Sequence, residues 1–327
     1  MGRRRPGRSA GSPRPPLRPR RAVAPRVALP EIPSARGGLP RVGGSRPGGI
    51  TVADTRPIGV FDSGVGGLSV LRALRAHLPN EHFIYIADQA HVPYGSRSLD
   101  EVRRFAEGIT RFLLTREAKA VVVACNTASA AALHALREAF PETPFVGMEP
   151  AVKPAAETTQ SGVVGVLATP ATFQGALYAS VVERFAHGTR LLEHTCDGLV
   201  QCIESGDLHG EAPRRILETA LRPMLAEGMD TVVLGCTHYP FVIPLIQDIV
   251  GPSVRVIDPA PAIARQTRRV LEARHSRNAL QAPGGVTYYT TGNPAEAAAV
   301  MARLSGKPVK VGALTWEGPT LQERPTP

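Results

Sequence analysis

From residue 57 onward the chain alternates between short apolar runs and longer amphipathic stretches. The apolar runs are IGVFD (58–62), HFIYIAD (82–88), KAVVVA (119–124), GVVGVLA (162–168), DTVVLG (230–235) and VRVID (254–258). Each is rich in Val, Ile or Phe and ends at a polar, glycine or small residue, which predicts buried strands. Helical patterns fill the gaps near 66–78, 98–117, 127–139, 171–186, 211–228 and 260–275. Strands alternating with helices predict an α/β fold with mostly parallel sheets. Ligands of such sheets bind beyond the carboxyl ends of the strands, so the residues just after each run are where chemistry is expected.

The pattern also repeats itself. IGVFD leads into Ser63-Gly64, and GVVGVLA, about 106 residues later, leads into Thr169-Pro170. KAVVVA leads into Cys125-Asn126-Thr127, and DTVVLG, 111 residues later, into Cys236-Thr237-His238. Each half thus carries a hydroxyl-bearing turn and then a strand-end cysteine. Two similar α/β domains facing across a cleft would bring both cysteines to one site.

Composition changes this picture at one end only. The net charge of +10 suggests nucleic acid, but the first 50 residues hold twelve Arg, no Lys and one acid, Glu31. The remaining body is therefore nearly neutral. Residues 1–55 are rich in Arg, Pro and Gly without an aromatic side chain, a composition that predicts disorder. The segment reads as an inert tail or as a start site placed too far upstream in GC-rich DNA. A nucleic-acid arm and a transit peptide are the competing readings. No apolar stretch is long enough to span a membrane, and no apolar core of a secretory signal follows the arginines. Four cysteines in 327 residues are too few for a disulfide framework, so a reducing cytoplasm is expected. The length suits about two domains at roughly 150 residues each.

Cys125 and Cys236 stand out because each precedes a helix start or a polar turn. A helix N-terminus favours a thiolate, and a histidine two residues away can move protons at a thiol. One nucleophilic Cys with a His base would suit acyl transfer. A matched pair suits inversion at a carbon acid, in which one thiolate removes a proton and an opposing thiol returns one. Cys196 and Cys202 lack the spacing of a zinc site and read as structural. The loop Asp62-Ser63-Gly64-Val65-Gly66-Gly67 partly matches a dinucleotide fingerprint, with Asp88 where a ribose-binding acid would stand. An acid at the start of that loop opposes pyrophosphate and would welcome a substrate ammonium instead. Pro93-Tyr94-Gly95 reads as a stiff surface turn. Glu204, closing the amphipathic segment 196–204, reads by itself as a solvated helix-end acid.

Taken together, DSGVGGLSV (62–70), PYG (93–95), ACNTASA (124–130) and GCTHYP (235–240) resemble the glutamate racemase family in order and spacing. LATPAT (167–172) and IDPA (257–260) fit as secondary blocks. The resemblance covers about residues 57–304 and leaves 305–327 as a C-terminal tail. Related aspartate racemases tend to carry Glu where His238 stands. Arg97 occupies a place where the family often has Lys. The resemblance implies two pseudo-symmetric domains, residues 57–148 with 259–304 and residues 149–258, with the active site in the cleft between them. It implies cofactor-independent interconversion of L- and D-glutamate that supplies peptidoglycan synthesis, with no metal. No membrane or nucleic-acid partner is implied for 57–304, and a homodimer is left open. By the same carry-over Cys125 and Cys236 are the two bases, Asp62 assists Cys125, His238 assists Cys236, and Glu204 supports His238. Asp62, Ser63, Tyr94, Gly95, Asn126, Thr127, Thr237 and His238 would bind substrate. An aspartate-specific relative, an NAD-dependent oxidoreductase and a non-catalytic amino-acid-binding module are the alternatives.

Overall fold

The structure is a computed structural model that describes residues 1–2 and 54–324. The arginine-rich segment, with the disorder and nucleic-acid contacts considered for it, lies outside the described residues.

The first lobe is built on β1 (Ile58–Asp62), β2 (Phe83–Ala87), β3 (Ala120–Val123) and β4 (Phe145–Gly147). The second is built on β5 (Val163–Ala168), β6 (Arg190–His194), β7 (Thr231–Gly235) and β8 (Arg255–Ile257). The strands run β2-β1-β3-β4 in one sheet and β6-β5-β7-β8 in the other, all parallel. The two orders are the same when counted from the first strand of each lobe. The repeated strand–turn junctions of the sequence are thus repeated in topology. In each lobe the hydroxyl-bearing strand pairs directly with the cysteine-bearing strand, β1 with β3 and β5 with β7. Both sheets belong to one compact unit.

Helices cover both faces of each sheet, which is why the strands read as continuous apolar runs rather than alternating ones. Helices α1 (Leu68–His77), α2 (Leu99–Thr115) and α3 (Asn126–Ala139) flank the first sheet. α4 (Val152–Thr158), α5 (Pro170–Gln174), α6 (Ala176–Phe185), α7 (Leu199–Glu204), α8 (Glu211–Ala226) and α9 (Ile243–Val250) serve the second. The helix predicted over 171–186 is broken at Gly175, whose extended backbone separates α5 from α6. α2 starts on a reciprocal cap in which Ser98 and Glu101 each bond the other's backbone N–H, two orphan donors satisfied at once.

After β8 the chain returns to the first lobe through α10 (Ala260–Ala273), which packs on α1. Strand β9 (Val286–Thr290) then adds to the first sheet beside β2, followed by α11 (Pro294–Ser305). The end of the chain departs from expectation. Residues expected to be a tail form β10 (Val311–Glu317) and β11 (Thr320–Glu323), which extend the first sheet to seven strands. β11 is the one antiparallel strand among the described residues, joined to β10 by a hairpin at Gly318. VGALTWE lacks clean alternation and carries a Gly, so its pairing with β9 was not legible locally. Among the described residues, no helix is long and apolar enough to cross a membrane.

Candidate active site

The carboxyl ends of β1, β3 and β7 converge. Asp62 ends β1 and is fully buried, its Oδ2 accepting the Gly67 N–H at 2.8 Å. Cys125 follows β3 and caps α3, its sulfur accepting the Ala128 N–H at 3.4 Å. Cys236 follows β7, with its sulfur 3.7 Å from Nδ1 of His238. Both cysteines line one cavity of about 20 Å³ together with Ser63, Tyr94, Gly95, Asn126, Thr127, Thr237 and His238. That volume holds about one water, so the lobes are closed upon the site. A wider pocket of about 240 Å³ shares Pro93, Gly95, Thr169 and Val200 with it and forms its mouth.

The two cysteines have different partners. Cys125 is buried next to Asp62, and burial first, then the Asp62 charge, pushes its thiol well above the ordinary range. Asp62 is itself raised by burial, against the opposing pull of His238 and the Gly67 hydrogen bond. On the other side His238 Nε2 lies 2.6 Å from Oε1 of Glu204. Burial alone would lower His238, but its bonds to Cys236 and Glu204 raise it well above its usual value. Burial would raise Glu204, yet the His238, Gln89 and Val65 hydrogen bonds leave it lowered. The site therefore holds a thiol with a carboxyl on one face and a thiol with an imidazolium–carboxylate pair on the other.

Glu204 is not the solvated helix-end acid that its segment suggested. α7 carries it inward, and it spans the cleft: Oε1 accepts the Val65 N–H at 2.7 Å and Oε2 accepts Gln89 Nε2–H at 3.0 Å, both from the first lobe. This explains the glycines of the 62–67 loop. A Cβ on Gly64 would overlap the Glu204 carboxylate, and one on Gly66 would overlap the His238 ring. The loop is glycine-rich so that two side chains of the second lobe can lie on its backbone, which displaces the dinucleotide reading. Asp88 is equally unavailable to a ribose, because four side chains already occupy its carboxylate.

The Asn126 amide lies in the cavity without a hydrogen-bond partner. It is 3 % exposed, and neither its Oδ1 nor its Nδ2 finds a hydrogen bond. A buried amide left unpaired is costly and marks a place where a ligand completes the bonding. Around it the hydroxyl groups are ordered. Thr127 Oγ1 lies 2.8 Å from Thr169 Oγ1 across the cleft, and Ser69 Oγ–H reaches the Thr237 carbonyl at 2.9 Å. The sequence reading passed over Gln89, the Val65 N–H and the true place of Asp88. No motif signals Gln89 or the Val65 N–H, since both act on Glu204, far along the chain. Cys196 and Cys202, read as structural, are both free thiols. Cys196 is buried near Cys236, and burial pushes it up to about 12. Among the described residues no group of three or more His, Cys, Asp or Glu side chains is arranged to hold a metal ion.

A two-lobed parallel α/β fold with paired strand-end cysteines defines a class, and the comparisons agree with it. The chain belongs to the Asp/Glu/hydantoin racemase family, whose sequence model matches residues 66–267. Its similar relatives are glutamate racemases. That of Ectopseudomonas mendocina is 51 % identical over 254 residues, 78 % of this chain and 96 % of the relative. The glutamate racemase RacE1 of Bacillus anthracis superposes with a TM-score of 0.73 at 32 % identity, covering 82 % of this chain and 99 % of that one. The Francisella tularensis glutamate racemase, solved with D-glutamate, superposes with a TM-score of 0.70 at 30 % identity, covering 80 % and 98 %.

Proposed function

We propose that this chain interconverts L- and D-glutamate without a cofactor, using Cys125 and Cys236 as opposed acid and base. The observation that carries the reading is two strand-end thiols, each with its own acidic partner, facing one closed cavity. In the L-to-D direction the Cys236 thiolate takes the α-proton while the His238 Nδ1–H points at its sulfur. The Cys125 thiol, kept protonated by burial and by Asp62, delivers a proton to the opposite face. Reversal exchanges the two roles. Before the next turnover Cys236 releases its proton and Cys125 regains one.

The α-proton of an amino acid is a very weak acid, so the site must stabilise the charge that develops. The N-terminus of α3 directs backbone N–H groups and the Asn126 amide into the cavity, where they suit a carboxylate. Thr127, Thr237 and Ser63 add hydroxyl groups, and Asp62 suits the ammonium. Excluding water strengthens all of these contacts. A cavity with room for about one water cannot admit glutamate, so the lobes must part for entry and release. Tyr94-Gly95 is then the strap that opens. We place the enzyme in the cytoplasm, in keeping with free thiols at the site, with D-glutamate destined for peptidoglycan.

Circular dichroism of L-glutamate and then D-glutamate, in D2O without added cofactor, tests the reading. Both signals should decay to zero, with deuterium entering at Cα. Unchanged signals from folded protein would reject glutamate as substrate and direct the test to aspartate.

A pH effect follows from the His238–Glu204 pair. A raised folded-state value means that His238 is an imidazolium at neutral pH and loses its proton only as pH climbs through that raised value. kcat/KM is therefore expected to fall on the alkaline side. Glu204→Gln removes the charge that helps raise His238, so this limb should move to lower pH. A limb that stays in place would remove Glu204 from its assigned role.

A further inference from the structure

The mechanism gives the buried carboxylate of Asp88 no task. Asp88 follows β2, is fully buried, and accepts on both oxygens from four different side chains. Tyr94 Oη–H bonds Oδ2 at 2.6 Å, and His91 Nδ1 lies 2.9 Å from the same oxygen. Thr291 Oγ1–H and Trp316 Nε1–H each bond Oδ1 at 2.7 Å. Tyr94 belongs to the strap over the cleft, and His91 to the loop that leads into it. Trp316, the chain's single tryptophan, belongs to β10, in the segment that the sequence marked as a tail.

The contact is built rather than incidental. The Trp316 ring lies against α2 at Gly108, where a Cβ would overlap the indole. Glycine within a helix is unfavourable, so α2 carries that cost where the ring needs room. His91 stacks on Phe105 at 3.8 Å, and Phe105 tilts against both Trp316 and Tyr94. Arg97 closes the cluster, its Nε–H bonding the His91 carbonyl at 2.6 Å and its guanidinium over the Phe105 ring. Beyond the cluster the strap meets the second lobe, where Gly95 abuts Thr169.

We infer that Asp88 is a positioning residue for Tyr94, and that the C-terminal hairpin completes the active site by holding Asp88 through Trp316. With all four acceptor directions filled, the carboxylate cannot rotate, and the Tyr94 hydroxyl has one place to go. Loss of the indole N–H leaves Oδ1 with Thr291 as its one donor, loosens the Tyr94 anchor and lets the strap lift. The two thiols are held by other contacts and keep their geometry. The effect should therefore appear in substrate binding rather than in the proton transfers. The kinetic part of this inference rests on the proposed glutamate reaction.

Trp316→Phe tests it, since it keeps a ring in the cluster and removes the N–H. The variant should fold, and its KM for both enantiomers should rise roughly 3- to 10-fold with kcat changed less than about 2-fold. Tyr94→Phe should raise KM similarly, and the double variant should be no worse than either single one, because both break one chain of contacts. Trypsin cleavage after Arg97, measured without substrate, should quicken several-fold in Trp316→Phe. An unchanged KM, or effects that multiply in the double variant, would overturn the inference. Cleavage at the wild-type rate would do the same. Should the wild-type protein leave glutamate unchanged, the proposed function falls while the cleavage rate still decides the role of Trp316.

Discussion

Replacing either Cys125 or Cys236 with alanine is expected to lower racemisation at least about 1,000-fold in both directions, while the protein stays folded. A positioned acid or base contributes roughly 10²–10⁴-fold, and here the lost group is the sole proton carrier on its face. The remaining cysteine can still meet the substrate, but no thiol stands opposite to complete the inversion. The two directions must fall together, because L- and D-glutamate are equally stable and kcat/KM is bound to be equal for both. Folding costs differ between the sites. Cys125 also caps α3, so its removal should cost about 1 kcal/mol of stability, a usual value for a lost cap. Cys125→Ser separates the two roles, since the hydroxyl can still cap the helix but is a far weaker acid than the thiol. It should be as inactive as the alanine variant and more stable. Circular dichroism with each enantiomer reads the activity, and denaturant titration reads the stability. Appreciable racemisation by either alanine variant would rule out the two-thiol mechanism.

The second large effect is expected at the other end of the first sheet. Lys119 precedes β3 and Glu81 precedes β2, and their 2.6 Å ion pair is almost wholly buried. Lys119 Nζ also donates to the Asp54 carbonyl at 2.6 Å, and Glu81 Oε1 accepts the Asn278 N–H at 2.8 Å. Oε2 of Glu81 has no partner apart from the ammonium. Lys119→Met removes that partner and leaves a buried carboxylate with one donor, which should cost about 3–5 kcal/mol. Lys119→Met/Glu81→Leu removes both charges and should recover most of the loss, because an apolar pair of similar volume is often neutral. Both variants should keep the catalytic geometry while folded, since the pair lies at the opposite edge of the sheet from Asp62 and Cys125. Urea unfolding measures the difference, and a loss under about 1 kcal/mol in Lys119→Met would show that water reaches Glu81.

The strands that carry the site were legible because they are buried on both faces and bounded by polar or small residues. β1, β3, β5 and β7 each appear within a residue or two of their apolar runs. The elements not read are those whose burial is partial or whose length is small. β4 has three residues, and β6 (RLLEH) is a half-exposed edge strand without alternation. β9 and β10 owe their place to pairing with β2 and with each other rather than to any local pattern.

The amino-acid sequence by itself determined the α/β alternation, the duplicated strand–cysteine junctions and the family motifs that single out Cys125, Cys236, Asp62 and His238. These are local matters of apolar period, strand ends and residue type within a few positions. Tertiary structure alone decided that Glu204 bonds a backbone N–H 139 residues earlier in the chain. It also decided that Gly64 and Gly66 make room for side chains of the other lobe, and that Trp316 holds Asp88 across 228 residues. Such contacts leave no periodic trace, because neither partner's own segment needs the other in order to fold. They exist only once segments distant in the chain have packed together, across the two sheets or along the first one, and buried polar groups have been forced to find partners.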